Sequence, residues 1–225
     1  MTNLYDDTLA GVAFPEYARS EVIADAVIHV LGAAFAVVSC IALGFVAAAS
    51  GEALVWLALS VYGAGLVAML GFSALYNLVT DAQRKVVYRR LDHAAIFAMI
   101  AGTYTPFSLI AMGGPWGYGL LAFVWTVAAA GILLKLFHPQ KLERFSVIAY
   151  LLLGWSVVVA LEHLTAAVSW PGLILLGAGG ALYTLGVVFH LWHRLPYQNA
   201  IWHAFVLAAA ACHFAAVIHE IAALA

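Results

Sequence analysis

The chain has 225 residues, 66% hydrophobic and 9% charged, with a formal net charge of −2 and a mean hydropathy of +1.02. So apolar a composition excludes an ordinary water-soluble domain, and the near-neutral charge gives no electrostatic footprint for nucleic acid. The bilayer must be the solvent, and membrane lipids are the expected surroundings.

Residues 1–20 form a short polar segment, acidic at Asp6, Asp7 and Glu16, which does not resemble the basic start of a cleaved signal peptide. Beyond it, residues 21–225 are expected to form one membrane domain. A helix needs about 20 apolar residues to cross the hydrocarbon core. Spans are predicted near 22–48, 53–79, 92–112, 116–137, 146–167, 172–193 and 199–224. The apolar runs are continuous, without the short alternating segments of a barrel strand, so the predicted fold class is all-α: an integral membrane bundle of seven transmembrane helices.

Positive charge alternates from gap to gap. Arg19 precedes the first span; Arg84, Lys85, Arg89 and Arg90 separate the second and third; Lys135, Lys141 and Arg144 bracket the gap after the fourth; Arg194 follows the sixth. The gaps around Ser50-Gly51-Glu52, Gly113-Gly114-Pro115 and Ser169-Trp170-Pro171-Gly172 have no Lys or Arg. Short basic loops stay cytoplasmic, so the amino terminus is expected inside and the carboxyl terminus outside a bacterial inner membrane. Cys40 and Cys212 fall within spans and form no ligand spacing, which makes them packing residues. Small-residue runs such as Gly63-Ala64-Gly65 let helices pack closely, and Trp116, Trp125, Trp155, Trp170 and Trp202 are expected mostly as interfacial anchors.

An ionisable side chain inside a bilayer costs several kcal/mol unless it faces a partner or the bundle interior. Glu21, Asp25 and His29 recur at intervals of four on the first span, as do Ser73 and Asn77 on the second and Asn199 and His203 on the seventh. Each set lies along one helix face. Asp92 and His93 stand at the same membrane level, so four helices bring polar groups to one depth, either as a site or as a hydrogen-bonded plug. Glu162, His163, His213, His219 and Glu220 lie toward the other side. Those near helix ends are expected to be solvated, without an outer functional site. His138, His190 and His193 are expected to be interfacial.

Several segments carry a resemblance. Phe72-Ser73-Ala74-Leu75-Tyr76-Asn77, Leu91-Asp92-His93-Ala94-Ala95-Ile96 with Ala101-Gly102-Thr103-Tyr104-Thr105-Pro106-Phe107, and Ile201-Trp202-His203-Ala204-Phe205-Val206-Leu207 with Cys212-His213-Phe214 are similar to the bacterial hemolysin III family. That family is the prokaryotic branch of the progestin and adiponectin receptor group, and the Glu21, Asp25, His29, Gly32 series resembles its first-helix motif, with Asp25 where Asn is usual.

The resemblance implies a seven-helix bundle with a zinc site near the cytoplasmic face. Its pattern is Ser and His four residues apart on helix two, Asp at the start of helix three, and two His four apart on helix seven. Zinc on three His with an open position activates water for hydrolysis. By resemblance, Ser73 and Asp92 are the catalytic positions and His203 the metal ligand, while Asn77 and Asn199 occupy the other two ligand positions. Carboxamide oxygen is a weak, hard donor beside imidazole, so zinc is expected to bind weakly or not at all. The expected function is a hemolysin III-like membrane protein with a degenerate zinc hydrolase site, working as a lipid-responsive regulator of membrane homeostasis. The alternatives are an active metal-dependent lipid amidohydrolase, with the metal held by Asp92, His203 and one of His29 or His93, or a pore or transport function. The absence of a visible half-helix interruption weighs against transport.

Overall fold

A computed structural model describes residues 17–139 and 145–224. Within these lie seven long apolar helices: α1 (Arg19–Ser50), α2 (Ala53–Leu78), α3 (Ala82–Met112), α4 (Gly114–Phe137), α5 (Ser146–Ala167), α6 (Trp170–Leu191) and α7 (Gln198–Leu224). No strand occurs among the described residues. Each is long enough to cross a bilayer while satisfying its own backbone polar groups. Asp6, Asp7, Glu16, Lys141 and Arg144 lie outside the described residues.

The turns follow from local chemistry. Gly51 closes α1 at φ 67°, and Gly113 and Gly114 turn the chain between α3 and α4 at φ 55° and 59°, conformations that glycine adopts without a Cβ penalty. Ser169 caps α6 by accepting from the Gly172 N–H. One boundary differs from the sequence reading: α3 begins at Ala82, ten residues before the predicted apolar start. The Asp81 carboxylate caps it by accepting the Arg84 N–H at 2.8 Å, so the helix runs on beyond its apolar stretch. Arg84, Lys85, Arg89 and Arg90 are therefore helical, and Lys135 lies in the last turn of α4, almost fully buried.

The helices pack mainly in the neighbour order α4, α3, α2, α1, α7, α6. α2 and α3 approach backbone to backbone, since a Cβ at Gly65 would stand 3.2 Å from the Ala98 carbonyl oxygen and one at Gly102 3.3 Å from that of Val61. Without a hydrophobic drive between helices, such close packing supplies the attraction. α5 leans on α3 and α4 and touches α6 lightly; the Trp155 indole donates to the Thr184 hydroxyl across that seam at 3.0 Å.

Two helices depart from α geometry. After Pro106, which has no N–H to donate, α3 widens into a π turn over Phe107–Met112. α5, expected to be uninterrupted, tightens into a 3₁₀ segment at Trp155–Ala160. Tyr104 satisfies the backbone groups released there, its hydroxyl donating to the Gly154 carbonyl at 2.7 Å and accepting the Val157 N–H at 2.9 Å. Within a bilayer those groups have no water to turn to.

Candidate functional site

The polar stripes of α1, α2 and α7 meet near the end of the bundle that carries the basic residues. Asp25 and His29 sit one turn apart on α1, and His203 faces them from α7; all three are buried. The His203 Nδ1–H donates to Asp25 Oδ1 at 2.6 Å. Asn199, one turn earlier on α7, places its Nδ2 2.9 Å from Asp25 Oδ2 and 3.2 Å from Asn77 Oδ1. Asn77 in turn donates to the Ser73 carbonyl at 2.9 Å. His29 Nε2 lies 3.4 Å from Asp25 Oδ2, and its ring sits 4.4 Å from that of His203. A carboxylate only accepts hydrogen bonds, so Asp25 gathers donors from α7 and links them to α1, while Asn199 extends the connection to α2.

On the facing side stand Ser73 of α2 and Asp92 of α3. Ser73, Asp92, His29, Asn77, Asn199 and His203 all line one cavity of about 750 Å³. From this polar end it runs through the bundle between apolar walls that include Ile96, Met99, Phe107, Leu164 and Leu176. Tyr17, just before α1, also lines it; burial, with help from the nearby Asp25 and Glu21 carboxylates, raises its hydroxyl above the ordinary tyrosine value.

Not every polar residue joins the cluster. Glu21, on the same stripe as Asp25, accepts the Tyr197 N–H at 2.7 Å and the Ala18 N–H at 2.9 Å, fastening the α6–α7 turn to the start of α1. His93 lines the cavity, and its carbonyl accepts the Tyr150 hydroxyl at 2.8 Å. Toward the other end, Glu220 is buried, contrary to the solvated placement expected from its position near the helix end. It accepts the Ser169 N–H at 3.0 Å and the Ser169 hydroxyl, because α7 runs beside the start of α6 and the helix N-terminus attracts a carboxylate. His163 stacks on Trp116 and His213 meets the Leu176 carbonyl at 3.2 Å. Ten residues of helix, about 15 Å, separate His213 from His203. Trp155 and Trp202 line the cavity, and Trp125 donates to Thr105, so these indoles do more than anchor the bundle at an interface. Both cysteines are free, as their positions suggested.

Asp25, His29 and His203 are the one group of three among the described residues that could hold a metal ion, each offering a ligand atom within 4.8 Å of the others. The sequence admits His29 as a ligand only in the alternative set with Asp92 and His203, and places Asp25 on the polar stripe outside either set. A three-imidazole zinc site does not fit, because Asn77 and Asn199 contribute amides that hydrogen-bond each other. Ligand atoms about 2.1 Å from a shared tetrahedral ion stand about 3.4 Å apart. The Asp25–His29 separation matches that spacing, whereas the 2.6 Å Asp25–His203 contact is a direct hydrogen bond.

Comparison with known proteins shows what the chain is similar to. Residues 18–214 match the family model described as haemolysin-III related. Hemolysin-3 of Bacillus cereus is 39% identical over 198 residues, covering 88% of this chain and 90% of that protein. The hemolysin-3 homolog of Bacillus subtilis is 35% identical over 198 residues, covering 88% and 93%. The human monocyte to macrophage differentiation factor is 30% identical over 163 residues, covering 70% and 67%. No solved structure matches. With seven apolar helices and a match that runs through almost all of them, this chain belongs to the hemolysin III family of membrane proteins.

Proposed function

We propose that this protein takes up a membrane lipid in its central cavity and acts as a lipid-responsive regulator, its former hydrolase site having become a hydrogen-bonded anchor. The observation that carries the reading is the cavity itself: about 750 Å³, lined mostly by apolar side chains, with Ser73, Asn77, Asp92, Asn199 and His203 gathered at one end. Ligand cavities commonly hold roughly 300–1,000 Å³ and combine apolar walls with a few placed polar groups. Ser73 and Asp92 sit at the polar end, where a head group would meet them. The light α5–α6 seam, bridged by Trp155 and Thr184, is the element whose packing lipid occupancy would shift.

Gly177 lines the cavity, and a Cβ added there would meet nothing within 4 Å. Gly177→Phe therefore starts a bulky side chain from a position where the Cβ has open space at the cavity wall. Native mass spectrometry in mild detergent should find lipid retained by the wild-type protein and bound about tenfold more weakly by the variant, ~1.4 kcal/mol. Equal retention by two equally folded proteins would sink the reading. A metal-dependent hydrolase is the second reading, favoured by the Asp25–His29–His203 group.

We also propose that the basic end faces the cytoplasm of a bacterial inner membrane, from the one-sided distribution of Lys and Arg. Tags at the two termini should report opposite sides, the amino end inside. Tags on one side would exclude an odd number of crossings.

A further inference from the structure

Midway along the cavity its mostly apolar lining is broken by an imidazole and a phenol. His213 of α7 and Tyr183 of α6 both line it. His213 stands ten residues beyond His203, about 15 Å along the helix, which puts it near the middle of a hydrocarbon core about 30 Å thick. A polar ring at that depth is costly unless it meets a partner or a ligand. Gly179 of α6 makes room for it, since a Cβ there would run into the imidazole.

The hydrogen bonding of the two rings is incomplete. His213 Nε2 meets the Leu176 carbonyl at 3.2 Å. A carbonyl only accepts, so Nε2 carries the proton and the neutral ring keeps Nδ1 as an acceptor. Among the described residues, nothing donates to that Nδ1. The Tyr183 hydroxyl reaches the Met69 thioether at 4.0 Å, and a thioether is a weak acceptor. The two rings lie 5.6 Å apart, centroid to centroid. Other hydroxyls on the cavity wall are engaged locally: Thr103 donates to the Met99 carbonyl at 2.9 Å and Thr184 to the Gly180 carbonyl at 2.7 Å. An unmet acceptor beside a weakly met hydroxyl is complementary to an alcohol, which donates to Nδ1 and accepts from the phenol.

We infer that the cavity prefers a lipid whose acyl chain carries a hydroxyl near its middle, held by His213 Nδ1 and the Tyr183 hydroxyl. Such selection rests on the lipid-binding reading above and deepens it by naming the chemistry of the chain. A chain of methylenes alone would cover both polar groups and pair with neither, which costs free energy where water is scarce.

Trp155, Trp170 and Trp202 line the cavity and supply the signal. The full-length protein, purified in an uncharged detergent, is loaded with brominated monooleoylglycerol, which quenches tryptophan fluorescence. Three lipids with the same head group then compete: monooleoylglycerol, monoricinoleoylglycerol with its mid-chain hydroxyl, and ω-hydroxyoleoylglycerol, an isomer with the hydroxyl at the chain end. The mid-chain alcohol should bind about fivefold more tightly than the other two, the size of one net hydrogen bond. His213→Phe should erase that preference, and Tyr183→Phe, which removes one oxygen from the wall, should bring it to about twofold or less. Thr103→Val should keep it, because the hydroxyl lost there already serves the Met99 carbonyl. A purely structural loss would weaken all three lipids alike and leave their ratio intact.

Equal binding of the plain and mid-chain hydroxylated lipids by wild-type protein overturns the inference and leaves the lipid cavity standing. A matching gain for the ω-hydroxy isomer also overturns it, since the effect is then general polarity of the chain. So does a preference kept in full by Tyr183→Phe, which decides the matter even where His213→Phe fails to fold. No saturable quenching by the brominated lipid removes the cavity reading itself, and the hydroxyl preference with it.

Discussion

Asp25→Leu should destabilise the folded protein by about 3 kcal/mol, since it leaves two buried donors without an acceptor at a cost of roughly 1–3 kcal/mol each. The carboxylate receives the His203 Nδ1–H at 2.6 Å and the Asn199 amide at 2.9 Å. Leucine fills similar space but accepts nothing, so two donors lose their partner where water is scarce. The network joins α1 to α7 and, through Asn199 and Asn77, to α2, so the loss falls on a three-helix junction. Asp25→Asn keeps one acceptor oxygen and should recover part of the loss. Unfolding in mixed micelles measures both variants. An Asp25→Leu protein within about 0.5 kcal/mol of wild type, the scatter of ordinary surface changes, would show that the network carries no weight.

The second large effect is a gain. Asn77→His with Asn199→His should turn a hydrogen-bonded junction into a zinc site. The two amides already stand 3.2 Å apart, close to the roughly 3.4 Å expected between ligand atoms on one tetrahedral zinc, and His203 lies one turn beyond Asn199. Wild-type protein should hold less than one equivalent of zinc by elemental analysis, and the double variant about one. Free zinc at about 1,000 times its dissociation constant should then stabilise the variant by about 4 kcal/mol, since metal bound only to the folded state shifts unfolding by linkage. A variant that folds but gains neither metal nor stability removes Asn77 and Asn199 from any shared ligand position. Stoichiometric zinc in washed wild-type protein would instead favour the hydrolase reading through Asp25, His29 and His203.

The two experiments bear on one question, whether α1, α2 and α7 are joined here by a metal or by hydrogen bonds. The geometry favours the second: the shortest contact in the cluster is a hydrogen bond between two of the groups that could ligate an ion. Asp25 holds one nitrogen of His203 and therefore fixes the orientation of its ring.

Seven crossings and their order were legible from the amino acids alone, because a bilayer helix must satisfy its own backbone and therefore declares itself as a continuous apolar run. The polar level was legible for a related reason: Asp25 and His29, Ser73 and Asn77, Asn199 and His203 each recur at the helical interval, where hydrocarbon makes such residues costly. Two features depended on tertiary packing, and a third on a local cap. α1 packs beside α7 and so brings Asp25 to His203; helix periodicity gives each polar face but not the neighbour it meets. Glu220 is buried because α7 happens to run alongside the start of α6, which sequence distance from the helix end does not reveal. The start of α3 was missed because Asp81 caps the helix outside the apolar stretch, and hydropathy reports burial in lipid rather than hydrogen bonding. Local periodicity thus determined the elements and which residues share a face, while the choice between a metal centre and a carboxylate-centred junction was decided by how α1, α2 and α7 meet, since angstrom-scale distances between side chains on different helices exist only after the helices pack.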